Sequence, residues 1–166
     1  MIDSGHLFDV ARHLATPPAR GKPRQADLRR AVSTAYYALF HYVLTQAAGE
    51  LVGSTPATKR TKVWALVYRG FNHREMATRC GQVSNPPLPL EAQDFGLGIR
   101  ALAAEFKILQ NERHNADYDP HSTFTLQSVQ GRIHAAEAAI RRFDASPRAE
   151  RKLFLTFLLM GARARA

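Results

Sequence analysis

Between Asn111 and His121 the chain reads NERHNADYDPH, a stretch dense in groups that act on phosphates. An arginine side chain cannot shed its charge and presents a planar fork of donors. Arg113 therefore suits a phosphate oxygen, or the extra negative charge of a pentacoordinate phosphorane. Imidazoles titrate near neutral pH, so His114 or His121 could take the proton of a ribose 2′-hydroxyl or return one to the leaving group. Asn115, Asp117 and Tyr118 stand between them as further ligand-binding candidates, and metal-free RNA cleavage needs little else. The same residues admit a purely structural use. Arg113 paired with Asp117 one turn on, or with Glu112 or Asp119 of a second chain, would fix a helix end.

Other chemistries lack their signals. There is no phosphate-binding glycine loop, no G-x-S-x-G elbow and no H-E-x-x-H. His6 and His13 stand seven apart, and His114 and His121 straddle Pro120; neither pair has a third ligand nearby in sequence, so no metal is expected. The single cysteine, Cys80, leaves no internal disulfide framework and is distant in sequence from Arg113. No cofactor is implied.

The element that must position Arg113 is a seam. Phe95, Ile99, Leu102, Phe106 and Leu109 recur at alternating steps of four and three, the pattern of a helix burying one stripe. Arg113 takes the next seam position, Ala116 follows, and helix gives out before Pro120. A second element runs from Gln25 to Leu51 without proline and reads as the longest helix. Its face of Leu28, Val32, Ala35 and Leu39 is widened by Tyr36, Phe40, Val43, Ala47 and Leu51, which suits a central position. Alongside lies a stripe of Arg30, Thr34, Tyr37 and His41, spaced to line up on one side. Tyr37 and His41 are candidate ligand-binding residues there, or ordinary amphipathic side chains with hydrogen-bonded tips.

The remaining chain reads as shorter helices. Residues 3–14 form one, capped by Asp3 or Ser4, and a proline-rich basic connection follows over residues 16–25. GSTP at 53–56 breaks the chain before a basic helix carrying Lys59, Arg60 and Lys62 ahead of Val63, Trp64, Leu66 and Val67. Asn72 and Glu75 have capping-box-like spacing and open a turn or two that Gly81 ends. SNPPLPL, residues 84–90, is a linker. Ser122 or Thr123 caps a helix whose Leu126, Val129, Ile133, Ala136, Ile140 and Phe143 make a second seam. Ser146 and Pro147, as cap and first helical residue, precede a last helix that Gly161 ends before a basic ARARA tail. No strand, hairpin or repeat signal occurs. The expected fold is an all-α antiparallel helical bundle in one domain over residues 1–166, with its core at about 5–145 and a C-terminal helix at 147–160.

With 23 Lys and Arg against 14 Asp and Glu, the formal charge is +9, which attracts polyanions: nucleic acid first, an acidic protein second. The N-terminus lacks a basic region followed by a long apolar run, and no stretch reaches membrane-spanning length. A soluble, cytoplasmic protein without a membrane partner is the expectation.

Two stretches together carry a family resemblance. LRRAVSTAYYALFHYVL, with Ala31, Ala35, Tyr36, Tyr37, Ala38, Phe40 and His41, is similar to the A-x-x-x-A-Y-Y-A-x-F-H helix of prokaryotic HEPN domains. LQNERHNADYDP, with Arg113, Ala116, Asp117, Tyr118 and Asp119, is similar to their R-x-x-A-D-Y-D motif. The resemblance covers about residues 5–145. It implies a small α-helical homodimer whose polar motifs face each other across a cleft, RNA or a nucleotide as ligand, and a toxin–antitoxin or antiviral defence setting with a possible antitoxin partner. Active ribonucleases of the family carry R-x4-6-H. Here Tyr118, Asp119 and Pro120 stand at those positions and seven residues separate Arg113 from His121. The resemblance thus implies a metal-independent ribonuclease with Arg113 on the phosphate and His114 or His121 as acid/base. The other implied class is a non-catalytic dimeric interaction or scaffold module whose polar motif is structural.

Overall fold

Nothing between Gln25 and Leu51 interrupts a helix, and the apolar positions spread around most of its circumference. Such a helix must be covered on several sides. In the computed structural model, which describes residues 2–85 and 95–161, it is the centre of an all-α bundle with no strand among those residues. The helices are α1 (Ser4–Leu14), α2 (Gln25–Leu51), α3 (Pro56–Lys59), α4 (Lys62–Arg69), α5 (His73–Ser84), α6 (Leu97–Tyr118), α7 (Leu126–Asp144) and α8 (Arg148–Met160). α2 packs against α1, α4, α6, α7 and α8. Ala31, Ala35, Ala38 and Ala47 are wholly buried along it, and their small side chains let neighbouring backbones approach. Residues 86–90 of the linker, 91–94 of the seam stretch and the tail 162–166 lie outside the described residues.

The α6 seam is buried as its spacing predicts: Ile99, Leu102, Phe106 and Leu109 are all at most 1% exposed. Burying four such side chains is worth on the order of 10 kcal/mol before entropy is counted. That exceeds any single polar contact at the end of the helix, so the seam holds α6 and the polar end is carried by it. Phe95 is buried too, but it precedes the helix. Gly98 is required where α6 starts: a Cβ there would lie 2.5 Å from the backbone oxygen of Arg142 in α7. From α7, Arg132 binds Glu112 through two nitrogens at 2.9 and 3.0 Å and reaches the buried Glu105 at 3.2 Å, locking the polar faces of α6 and α7 together.

Several boundaries differ from the sequence reading for local reasons. The basic helix after Pro56 is split, because Thr61 accepts the Trp64 N–H at 3.2 Å and caps a new start. Gly81 lies inside α5, which continues to Ser84. Asn72 caps α5 as expected, whereas Glu75 bridges to Arg79 at 3.3 Å instead of closing a capping box. The α7 cap is Thr125, in a reciprocal box with Ser128, and not Ser122 or Thr123. Pro147 is the residue before α8 rather than its first, with ψ 137°, and the Ser146 hydroxyl turns back to the Arg142 carbonyl. No helix among the described residues is long and apolar enough to cross a membrane.

Candidate functional site

The last carbonyls of any helix lack intrahelical partners. At the end of α6 they are met by an arginine from another helix. Arg29 of α2 donates to the backbone oxygens of Ala116 and Asp119, both at 2.9 Å, and also to that of Ser122. A cation at a helix C-terminus is favoured by the peptide dipoles as well. Gln25 holds the following loop by exchanging two hydrogen bonds with the backbone of Phe124, at 2.8 and 2.9 Å. Asp119 accepts from the His121 N–H at 2.9 Å and from the Ser122 hydroxyl, and these contacts pull its carboxyl below the usual range. The turn after Tyr118 is thus fixed chiefly by two residues at the start of α2.

This fixation aims Arg113 at α2. Its Nε lies 2.7 Å from Asp117 Oδ2, though the approach is off the N–H direction, so the contact is an ion pair without a well-directed hydrogen bond. Nη2 donates to the Tyr37 hydroxyl at 3.1 Å. The guanidinium also lies 5.6 Å from the Tyr37 ring centre and 5.4 Å from that of Tyr118. Asp117 accepts in turn from the hydroxyl of Ser33, a buried polar residue of α2, at 2.6 Å. Within the chain Arg113 takes Asp117, the partner that the one-turn spacing offers. Glu112 is taken by Arg132 and Asp119 by its own turn. Burial works against the Arg113 charge, but Tyr37, Asp117 and Tyr118 more than offset it and raise its pKa. The side chain is still 24% exposed, which leaves it open to a ligand.

The imidazoles around this arginine come from three helices. On α6 itself, His114 packs its ring against Tyr118 at 5.2 Å, on an exposed surface. From α2, His41 lies along Tyr37 at 6.4 Å and bonds through Nδ1 to the Tyr68 hydroxyl at 2.7 Å. From α5, His73 stacks on Phe40 at 3.7 Å, meets the edge of Tyr37 at 6.0 Å and shares a 2.7 Å hydrogen bond with the buried Tyr36 hydroxyl. Burial lowers the pKa of both His41 and His73, and Arg113 lowers that of His73 further. Both therefore stay neutral, and able to accept a proton, below the pH at which an ordinary histidine becomes charged.

Ser33, Tyr37 and His41 line a hollow of about 360 Å³ with Arg30 and Thr34, so the predicted α2 stripe does form one wall. No protein-family model, curated protein or solved structure matches this chain. The reading of the site accordingly rests on its own residues. Arg113, Asp117, Tyr118, His114, Tyr37 and His41 are brought together as one connected set. Asn115 and His121 stay exposed, and among the described residues neither side chain makes a hydrogen bond, ion pair or ring contact with that set. Cys80 is buried and its thiol is pushed up by burial, which removes it as a nucleophile. No group of three His, Cys, Asp or Glu side chains that could hold a metal ion occurs among the described residues. The sequence reading missed Arg29, Ser33 and His73. Ser33 had a usable signal, a serine amid the apolar positions of α2; His73 had none.

Proposed function

We propose that this protein is a HEPN-like, dimeric, cytoplasmic RNA- or nucleotide-binding protein of a toxin–antitoxin or defence system, with Arg113 taking the phosphate. The observation that supports this best is the surroundings of Arg113. A partly exposed guanidinium sits beside one carboxylate, two tyrosine rings and, through Tyr37, two imidazoles. A phosphate can displace that carboxylate from the guanidinium or share the guanidinium with it, and tyrosine and histidine rings offer faces to unstacked bases. Tyr118, 65% exposed next to Arg113, is an apolar surface suited to the facing motif of a second copy.

A second reading, metal-independent cleavage, is favoured by the lowered pKa of His41 and His73. In it a neutral imidazole removes the 2′-hydroxyl proton, the 2′-oxygen attacks phosphorus, Arg113 holds the charge on the phosphorane, and the P–O5′ bond breaks as the leaving 5′-oxygen takes a proton from an imidazolium, leaving a 2′,3′-cyclic phosphate. His114, exposed beside Tyr118, is the acid/base candidate on the open side, and His121 becomes one only if a ligand or second copy brings it in.

The test is incubation of the purified protein with total RNA in EDTA, comparing wild type with Arg113→Ala, His114→Ala and His73→Asn. EDTA-resistant cleavage lost in the arginine variant and in one histidine variant supports the enzyme. Intact RNA that is retarded on a gel in a salt-sensitive, Arg113-dependent manner supports binding alone. No binding at all leaves the Ser33–Asp117–Arg113–Tyr37 network as a staple between α2 and α6, the interaction-module reading.

A further inference from the structure

A second hollow, of about 600 Å³, opens between α3 and α4 and is lined by Lys59, Arg60, Trp64, Tyr68 and Arg69, among others. No acidic residue lines it. Among the described residues the side chains of Lys59, Arg60 and Arg69 make no hydrogen bond or ion pair, so three cations face one space without a counter-charge. Trp64 is 95% buried by its 5% exposure, yet it lies outside the main core cluster. Its indole N–H is buried and has no acceptor among the described residues. Buried donors are nearly always satisfied, and this one is both unpaired and closed off from solvent. Trp64 and Tyr68 are stacked on each other, nearly parallel at 5.0 Å, so the wall of the hollow presents the edges of this aromatic pair.

The hollow also continues toward Arg113. Tyr68 lies parallel to His41 at 6.0 Å and is hydrogen-bonded to it, His41 lies along Tyr37, and Tyr37 accepts from Arg113. Ile2 lines both this hollow and the Tyr37–His41 hollow. Aromatic rings interleaved with cations along a surface suit single-stranded nucleic acid, whose bases are free to pack on rings while the backbone follows the charges.

We propose that the α3–α4 hollow holds one nucleotide of an RNA strand that also crosses the Arg113 surface. Its phosphate is met by Lys59, Arg60 and Arg69, and its base enters the hollow along the edges of Trp64 and Tyr68. The choice of a strand as occupant rests on the RNA-binding reading of Arg113. The shared chemistry, a base with its phosphate, is also that of a free nucleotide, and the two sources are separable by experiment.

Trp64 is the chain's only tryptophan, so its emission reports on this hollow in the full-length protein. The probes are a fluorescein-labelled oligouridylate of about ten nucleotides, adenosine monophosphate, and polyglutamate as a plain polyanion. Expected is a saturable change in Trp64 emission with unlabelled oligouridylate and binding at least about tenfold weaker for the mononucleotide, which cannot span both hollows. By anisotropy, Lys59→Gln with Arg60→Gln weakens the oligonucleotide about tenfold and flattens the log–log salt slope by about 1.4.

RNA binding with unchanged Trp64 emission and wild-type affinity in the Lys59/Arg60 variant overturns this site and leaves the Arg113 reading standing. A Trp64 response that Arg113→Gln does not alter supports the hollow and overturns the continuous strand. Mononucleotide binding as tight as the oligonucleotide also overturns the strand, in favour of a free nucleotide. Polyglutamate matching the oligonucleotide shows that charge alone acts and overturns the site.

Discussion

Replacing Asp117 with asparagine separates a ligand-facing arginine from a structural one, because the two predict opposite changes. Asparagine keeps the shape and still accepts from the Ser33 hydroxyl, which now binds Asp117 at 2.6 Å, but it removes the charge 2.7 Å from Arg113 Nε. Both side chains of the pair are about one-quarter exposed, so its net contribution to stability is at most about 1 kcal/mol, or a fall in Tm of about 2–4 °C. The effect on RNA runs the other way. A phosphate seated on Arg113 would sit about 6 Å from the carboxylate, and at an effective dielectric of about 40–80 their repulsion is about 0.7–1.4 kcal/mol. Asp117→Asn therefore tightens RNA binding about three- to tenfold, and the log–log salt slope steepens by about 0.7 for one uncovered cation. Fluorescence anisotropy with a labelled single-stranded RNA across a salt series reads both quantities, with urea denaturation alongside. The reasoning is refuted if the folded variant binds RNA no better than wild type. A large stability loss together with unaltered RNA affinity would identify the pair as a staple that never meets phosphate.

Arg29→Met removes the cation that binds the Ala116 and Asp119 oxygens at 2.9 Å, and should lower urea stability by about 2–4 kcal/mol, with Arg29→Lys recovering only part because an ammonium cannot span the same carbonyls. The glycines give opposed outcomes: Gly98→Ala, whose Cβ would meet the Arg142 backbone oxygen, should destabilise by at least about 1 kcal/mol. Gly131→Ala, where nothing lies within 4 Å, should stabilise α7 by about 0.5–1 kcal/mol, both read by thermal melting. For pH, the His41 and His73 values are lowered from 6.5, so the unfolded chain takes up these protons first. Stability should be flat at and above neutral pH and fall as pH drops below about 6.5, and His73→Asn should reduce that slope in urea titrations between pH about 7.5 and about 5.5.

The bundle was readable because its signals are local. The α6 seam and the broad face of α2 depend on residues three and four apart, and the apolar positions that spacing selects are buried except Leu51 at the end of α2, which is half-buried. Helix ends were less readable where two residues competed for one role. Thr125 prevailed over Ser122 and Thr123 because Ser128 stands where a reciprocal box can close, while Asp119 draws in Ser122. The polar end of α6 was half readable. The i to i+4 spacing offered Asp117 to Arg113 and that pair forms, but nothing in the spacing marks Arg132 as the holder of Glu112 or Asp119 as the residue that closes its own turn. Partners remote in sequence left no trace at all, as with Arg29 and Ala116, which are 87 positions apart.

That division bears on where a catalytic histidine should be sought. Counting along the chain from Arg113 points only to His114 and His121, since a sequence shows just one path between two residues. In the folded protein Tyr37, whose hydroxyl accepts from Arg113, also packs its ring against His41 of α2 and His73 of α5. A missing histidine at the expected spacing therefore does not remove an imidazole from the arginine; it moves the search to α2 and α5. If EDTA-resistant cleavage is found and survives His114→Ala and His121→Ala but not His73→Asn, the acid/base function has been supplied by packing rather than by spacing. Survival of cleavage in a folded His41→Asn, His73→Asn double variant would exclude that assignment.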